Sequence, residues 1–217
     1  MNNYGIIFDC DGTLVDSLKF AFESFNYALS KVGESPRTEI EIKKYFGAAA
    51  DRILFRLIGN EEKALKAFEF YVDHQTQLAE HMNLHEGIRE LLDKLAGEKV
   101  PMAVVTGRHT RDLEVILRPH KISHYFVTLV TDNHLPLSKP APDGILLAAD
   151  RMNLAPRDTC YVGDSTMDLE AAHRAGATAI AALWDSMVNP DEMRREHPRF
   201  LAQTPADVWT AYQKLRA

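Results

Sequence analysis

Tyr4-Gly5-Ile6-Ile7-Phe8-Asp9-Cys10-Asp11-Gly12-Thr13-Leu14-Val15-Asp16-Ser17 is the stretch from which the rest of the chain can be read. The apolar run Ile6-Ile7-Phe8 is too short to span a membrane and delivers two carboxylates, Asp9 and Asp11, into a turn marked by Gly12. An amphipathic pattern then begins at Ser17, so the spacing predicts strand, acidic turn and helix, with Ser17 as the N-cap. Aspartate also ends strands for purely local reasons, and the pair alone fits either a plain loop or a site.

Outward from this stretch, apolar residues at helical spacing predict helices over 17–32, 38–46, 49–57 and 61–82, with Gly33 stopping the first. Nothing between Ser17 and Met82 reads as a strand. A helix over 86–96 follows, and the texture then alternates: strands over 100–105, 125–130, 159–162 and 177–183, with helices over 111–117, 143–152, 167–174 and 206–215. Lys139-Pro140-Ala141-Pro142 interrupts any helix before Asp143. Five short apolar strands separated by helices predict an α/β fold, a Rossmann-like parallel sheet flanked by helices, with an inserted α-helical cap. The expected division is a catalytic core over 1–16 and 84–217 and a cap over 17–83.

Ligands of such sheets bind at the carboxyl ends of the strands. Four successive strand ends carry the polar motifs: Asp9 and Asp11, then Thr106 and Gly107, then Lys139, then Asp164 and Asp168. Each has a bland alternative, a strand-to-helix turn at Thr106-Gly107, a solvated lysine at Lys139, a helix cap at Gly163-Asp164-Ser165. Their coincidence is the argument for a site. Three carboxylates brought together need a compensating cation, and oxygen-only ligands favour Mg²⁺. Lys139, the Thr106 hydroxyl and the amides around Gly107 would complete a pocket for a phosphoryl group.

Of 217 residues, 46% are hydrophobic, enough for a sizeable core. Lys and Arg total 25 against 31 Asp and Glu, a net charge of −6 with no basic block, which argues against nucleic acid and against a polybasic membrane anchor. The two cysteines, Cys10 and Cys160, sit in apolar runs and read as reduced and buried. No leader pattern or membrane span is visible, and a cytoplasmic protein, monomer or homodimer, is expected.

With these motifs in order, Asp9-Cys10-Asp11-Gly12-Thr13, Val105-Thr106-Gly107, Lys139-Pro140 and Gly163-Asp164 through Asp168, the chain resembles the haloacid dehalogenase superfamily, in particular its phosphatases with a small helical cap. The resemblance implies that Asp9 is the nucleophile and a metal ligand, that Asp11 is the acid and base and lends its main-chain carbonyl to the metal, and that Asp164 is a further ligand. It also implies that Asp168 orients Lys139 or a metal-bound water, while Thr106, Gly107 and Lys139 hold the phosphoryl oxygens. The implied activity is Mg²⁺-dependent hydrolysis of a small phosphate ester, similar to phosphoglycolate phosphatases. Dehalogenases lack the second aspartate, and sugar-phosphate mutases of this cap type carry histidine where Ala21 stands. A mutase and a non-catalytic binding module remain the alternatives. Specificity is expected from the Phe46-Gly47-Ala48 turn, Arg52 and Arg108, and hinges near Asp16-Ser17 and 83–86. Phe20, Phe22, Phe25 and Tyr27 are expected in the cap core, and His74, His81 and His85 are not at metal-ligand spacing.

Overall fold

The computed structural model describes residues 4–216. Residues 1–3 and 217, which fall within the expected core ranges, lie outside them. Six parallel strands form one sheet: β1 (Gly5–Phe8), β2 (Met102–Val105), β3 (Thr128–Val130), β4 (Thr159–Gly163), β5 (Thr178–Ala182) and β6 (Phe200–Ala202). Their order is β3-β2-β1-β4-β5-β6. The chain thus winds outward from β1 in one direction and then, from β4, in the other, so the order reverses between β1 and β4. The Asp9 amide donates to the Val162 carbonyl at 2.9 Å, carrying the β1–β4 ladder one step past Phe8 and fixing Asp9 at that crevice.

Both faces of the sheet are covered. Ile6, Phe8, Met102, Val104 and Val162 face α5 (Ile88–Gly97), α6 (Thr110–Leu117) and α10 (Pro205–Arg216), while Ile7, Ala103, Val105 and Tyr161 face α7 (Asp143–Arg151) and α8 (Thr166–Ala175). The four-residue strands β1 and β2 are buried along their whole length, as a parallel sheet with helices on both sides requires.

The helices α1 (Leu18–Lys31), α2 (Glu39–Lys43), α3 (Ala50–Ile58) and α4 (Glu61–Leu78) pack around a separate cluster that includes Phe22, Phe25, Leu29, Ile53, Leu54 and Phe68. Of the expected aromatic core, Phe22 and Phe25 belong to it, Phe20 packs toward the sheet, and Tyr27 stacks on His74 at 4.2 Å between ring centroids. The two connections between this block and the sheet run side by side. The Asp16 amide donates to the Asn83 carbonyl at 2.9 Å and the His85 amide to the Leu14 carbonyl at 3.0 Å.

Two elements were not expected. α9 (Pro190–Arg195) starts with Pro190 in its first turn, capped by the Asn189 side chain, and β6 adds a sixth strand at the sheet edge. β6 has three residues, with Leu201 exposed, too short for any alternation to register. The helix expected over 38–46 closes into turns after Lys43, although Thr38 and Glu41 form the capping box that starts it.

Candidate active site

All four predicted strand ends meet. Asp9 leaves β1, Thr106 and Gly107 leave β2, Lys139 approaches from the loop before α7, and Asp164 and Asp168 stand at the end of β4 and in the first turn of α8. All of these but Asp168, which is buried beneath, line a cavity of about 100 Å³ roofed by Leu18, Phe25, Phe46, Ile53 and Tyr71 from the helical block. Gly12 makes the turn below with φ +70°, and a side chain there would strike the Asp164 carboxylate. The roof comes down through Gly47, whose φ of +93° and proximity to Met167 and the Lys139 carbonyl leave no room for a Cβ.

Lys139 is the buried cation of the floor. Its Nζ donates to Asp168 Oδ1 at 2.6 Å and to the Tyr161 hydroxyl at 3.2 Å, and it lies 3.1 Å from Asp9 Oδ1. Asp168 is fully buried and held by the Ser165 amide and hydroxyl as part of the helix cap, which leaves it to fix the lysine. The Tyr161 hydroxyl donates to the Val105 carbonyl at 2.9 Å and so braces the lysine from inside β4. The nearby carboxylates drive the Lys139 ammonium well above its ordinary value, against the pull of burial.

Asp9 Oδ1 is buried and, despite the nearby ammonium, receives no hydrogen bond. Burial pushes the Asp9 carboxyl up to about 7, opposed by Lys139 and reinforced by Asp168 and Asp11. Burial and the charges of Asp168 and Asp9 likewise raise Asp164, which is steadied by the Thr13 hydroxyl at 2.8 Å. Oxygens of Asp9, Asp164 and Asp168 lie within 4.8 Å of one another, an acidic triad able to hold a metal ion. An orphaned buried oxygen and two carboxylates that resist ionising side by side fit a hard cation.

Asp11 is held differently. Arg108 grips it through Nε, 2.8 Å from Oδ2, and Nη2, 2.7 Å from Oδ1, and the Ser17 hydroxyl also donates to Oδ1. Burial alone would raise Asp11; the guanidinium and the Ser17 hydrogen bond bring it below the ordinary value. Ser17 precedes α1 but does not cap it, because its hydroxyl is spent on Asp11. Arg108 is only 6% exposed and its other nitrogen, Nη1, donates to Gln75 Oε1 of α4 at 3.1 Å and to Asp112 at 3.3 Å. Burial pushes Asp112 up to about 6 even with Arg108 alongside.

Arg52, expected near a substrate anion, lies outside the cavity. It bridges α3 to Ser138 at 3.1 Å and Asp132 at 3.3 Å with its side chain 45% exposed. Sequence reading missed Ser17 as a ligand of Asp11, Tyr161 as a brace, and Gln75 and Asp112 as partners of Arg108. Gln75 left a trace: it falls one turn after the buried Tyr71, where α4 calls for an apolar residue. The three histidines take no part in the triad, and His74 is instead paired with Ser24 at 2.9 Å.

With this geometry in place, known proteins can be compared with the chain. The phosphoglycolate phosphatases of Mannheimia succiniciproducens and Vibrio vulnificus are 28% and 26% identical to this chain, over 93% and 94% of it and 94% and 93% of their own lengths. The crystal structure of a predicted phosphoglycolate phosphatase from Haemophilus somnus superposes with a TM-score of 0.85 at 24% identity, covering 98% of this chain and 99% of that one, which shows the shared fold. Residues 6–182, from β1 to the end of β5, match the family described as haloacid dehalogenase-like hydrolase, and the chain belongs to that family.

Proposed function

We propose that the protein is a Mg²⁺-dependent phosphatase that hydrolyses a small-molecule phosphomonoester, with esters of the phosphoglycolate type, named in its relatives, as first candidates. The observation that carries this reading is Asp9 Oδ1, buried, unmatched by any hydrogen bond and 3.1 Å from Lys139, at the floor of the cavity between the strand ends and the helical block.

In this reading Asp9 attacks the phosphorus, and the bond to the ester oxygen breaks as Asp11 gives that oxygen a proton. Water then attacks the phosphorus of the aspartyl-phosphate and passes its proton to Asp11, which frees Asp9 and releases inorganic phosphate. The Thr106 hydroxyl, the Gly107 amide and Lys139 hold the phosphoryl oxygens, and Asp168 positions Lys139. Asp9, Asp164 and the main-chain carbonyl of Asp11 would hold Mg²⁺, which when bound supplies positive charge to the transferring group. The helices over 17–83 serve as a lid that excludes water and shapes the pocket. Ala21 lines the cavity and supports hydrolysis over a mutase reaction. Among the described residues no helix is long and apolar enough to cross a membrane. The buried free thiols of Cys10 and Cys160 support a cytoplasmic setting, and the proposed form is a monomer or homodimer.

The test is release of inorganic phosphate, with Mg²⁺, from 2-phosphoglycolate, hexose phosphates, nucleotides and pseudouridine phosphate. Turnover of at least one ester, lost on chelation and in Asp9→Asn, is expected. Turnover that survives Asp9→Asn would overturn the reading.

A further inference from the structure

Arg108 is built as a carboxylate reader whose present occupant is Asp11. Its guanidinium is held from two sides by different partners. Nη1 is fixed by Asp112 and by Gln75, and Gln75 is itself oriented because its amide nitrogen donates to the Phe20 carbonyl at 3.1 Å and the Ser24 hydroxyl at 2.8 Å. The other edge, Nε with Nη2, is the flat fork that matches a carboxylate two bonds at a time, and it faces Asp11. Four of the five N–H groups are engaged by these partners, and one on Nη2 is left over.

The surroundings narrow what else could use that fork. The residues lining the cavity include two cations, Lys139 and Arg108, and Lys139 is committed to Asp168 and Asp9. The roof is apolar apart from Tyr71. A second negative charge on a substrate therefore has Arg108 as its partner. Phe25, Ile53 and Tyr71 of the roof line the same cavity as Arg108, so mostly apolar walls flank any group that sits between the phosphoryl site and the fork. A group donating a proton to the ester oxygen must touch it, and Asp11 touches Arg108, so an anion one carbon from that oxygen reaches the fork.

We propose that Arg108 selects phosphate monoesters whose leaving group carries a carboxylate beside the ester carbon, and that this carboxylate takes over the Nε/Nη2 edge and releases Asp11 toward the leaving oxygen. The proposal rests on the phosphatase reading above and adds what the enzyme prefers and why. In the absence of such a group Asp11 stays gripped by Arg108 and Ser17. Arg108 is thus both the specificity determinant and the positioning residue for Asp11, and α4 takes part through Gln75.

The test compares 2-phosphoglycolate with ethyl phosphate, which has the same skeleton with methyl in place of carboxylate, on the Mg²⁺-loaded full-length protein. Wild type is expected to favour 2-phosphoglycolate in kcat/KM by roughly 10- to 100-fold, the usual worth of charge-assisted hydrogen bonds. Arg108→Gln is expected to bring the ratio close to unity, and Arg108→Lys to restore part of it. A second measurement needs no variant: formate added to wild type with methyl phosphate supplies the carboxylate separately, and is expected to raise kcat by freeing Asp11. A structural role for Arg108 would not produce that activation. Equal turnover of the two esters by wild type, an unchanged ratio in a folded Arg108→Gln protein, or formate without effect on kcat would each overturn the proposal while leaving the phosphatase reading standing. Release of phosphate from no ester at all would overturn that reading, and the proposal with it.

Discussion

Replacing Asp9 by asparagine should stabilise the metal-free protein at alkaline pH while abolishing its chemistry. Burial holds the Asp9 carboxyl at about 7 in the folded chain against an ordinary 3.8. A raised carboxyl binds its proton more tightly when folded, so its contribution to stability is fully present below 3.8 and is lost as pH rises through 7. About three units at about 1.4 kcal/mol each give about 4 kcal/mol at pH 8. The neighbouring Asp164 competes for the same proton, which lowers the expectation to about 2–4 kcal/mol. For a chain of this length each kcal/mol moves Tm by about 2–4 °C. Thermal unfolding of wild type and Asp9→Asn with chelator, from pH 4 to pH 8, reads this directly. The variant should gain most at pH 8, its advantage shrinking as the pH falls, and Mg²⁺ should favour the wild type by restoring a partner for the ionised carboxylate. A difference in Tm that does not change with pH between 4 and 8 would refute the reasoning.

Lys139→Met should cost about 3–5 kcal/mol by stranding Asp168 and Asp9 in the floor, seen as a fall in Tm at neutral pH, and should abolish phosphate release. Arg52→Ala removes a half-exposed guanidinium from the buried Asp132, which keeps the Ser138 hydroxyl as a donor; stability should fall by about 1–3 kcal/mol, read as a lower Tm, and kcat/KM on small esters should change by less than roughly threefold because the pair lies outside the cavity. Gly107→Ala places a Cβ 3.0 Å from the Gly47 carbonyl, which pushes the roof turn off the β2 end. Its kcat/KM should fall by roughly 10- to 100-fold with the far-UV circular dichroism unchanged.

The parts of this architecture visible in the sequence are those whose cause is local. The apolar runs 6–8 and 159–162 are strands because both faces are covered, and the residues after them are polar because they leave the sheet at its ligand-binding end. By that logic the sequence alone places Asp9, Thr106, Lys139 and Asp164 at one end of the sheet. What stayed hidden depends on neighbours distant in the chain. Ser17 has the look of a helix cap, and only the turn at Gly12 brings Asp11 within reach of its hydroxyl. Arg108 follows a strand like any surface arginine, yet Gln75 and Asp112 close around it from α4 and α6. Arg52 had the opposite fate, a cation near the expected pocket that finds Asp132 instead. β6 escaped because three residues at a sheet edge carry no periodicity.

The central claim is that Asp9 is the nucleophile, and the most direct measurement is to catch the phosphoryl group on it. Mg²⁺-loaded protein mixed with the preferred ester, quenched in acid within one turnover and digested, should yield a peptide spanning Asp9 with one added phosphoryl group that is removed by hydroxylamine. The same peptide from Asp9→Asn should carry none. Phosphate release by the wild type with no phosphorylated peptide at any time, or a phosphoryl group recovered on another residue, would contradict the account.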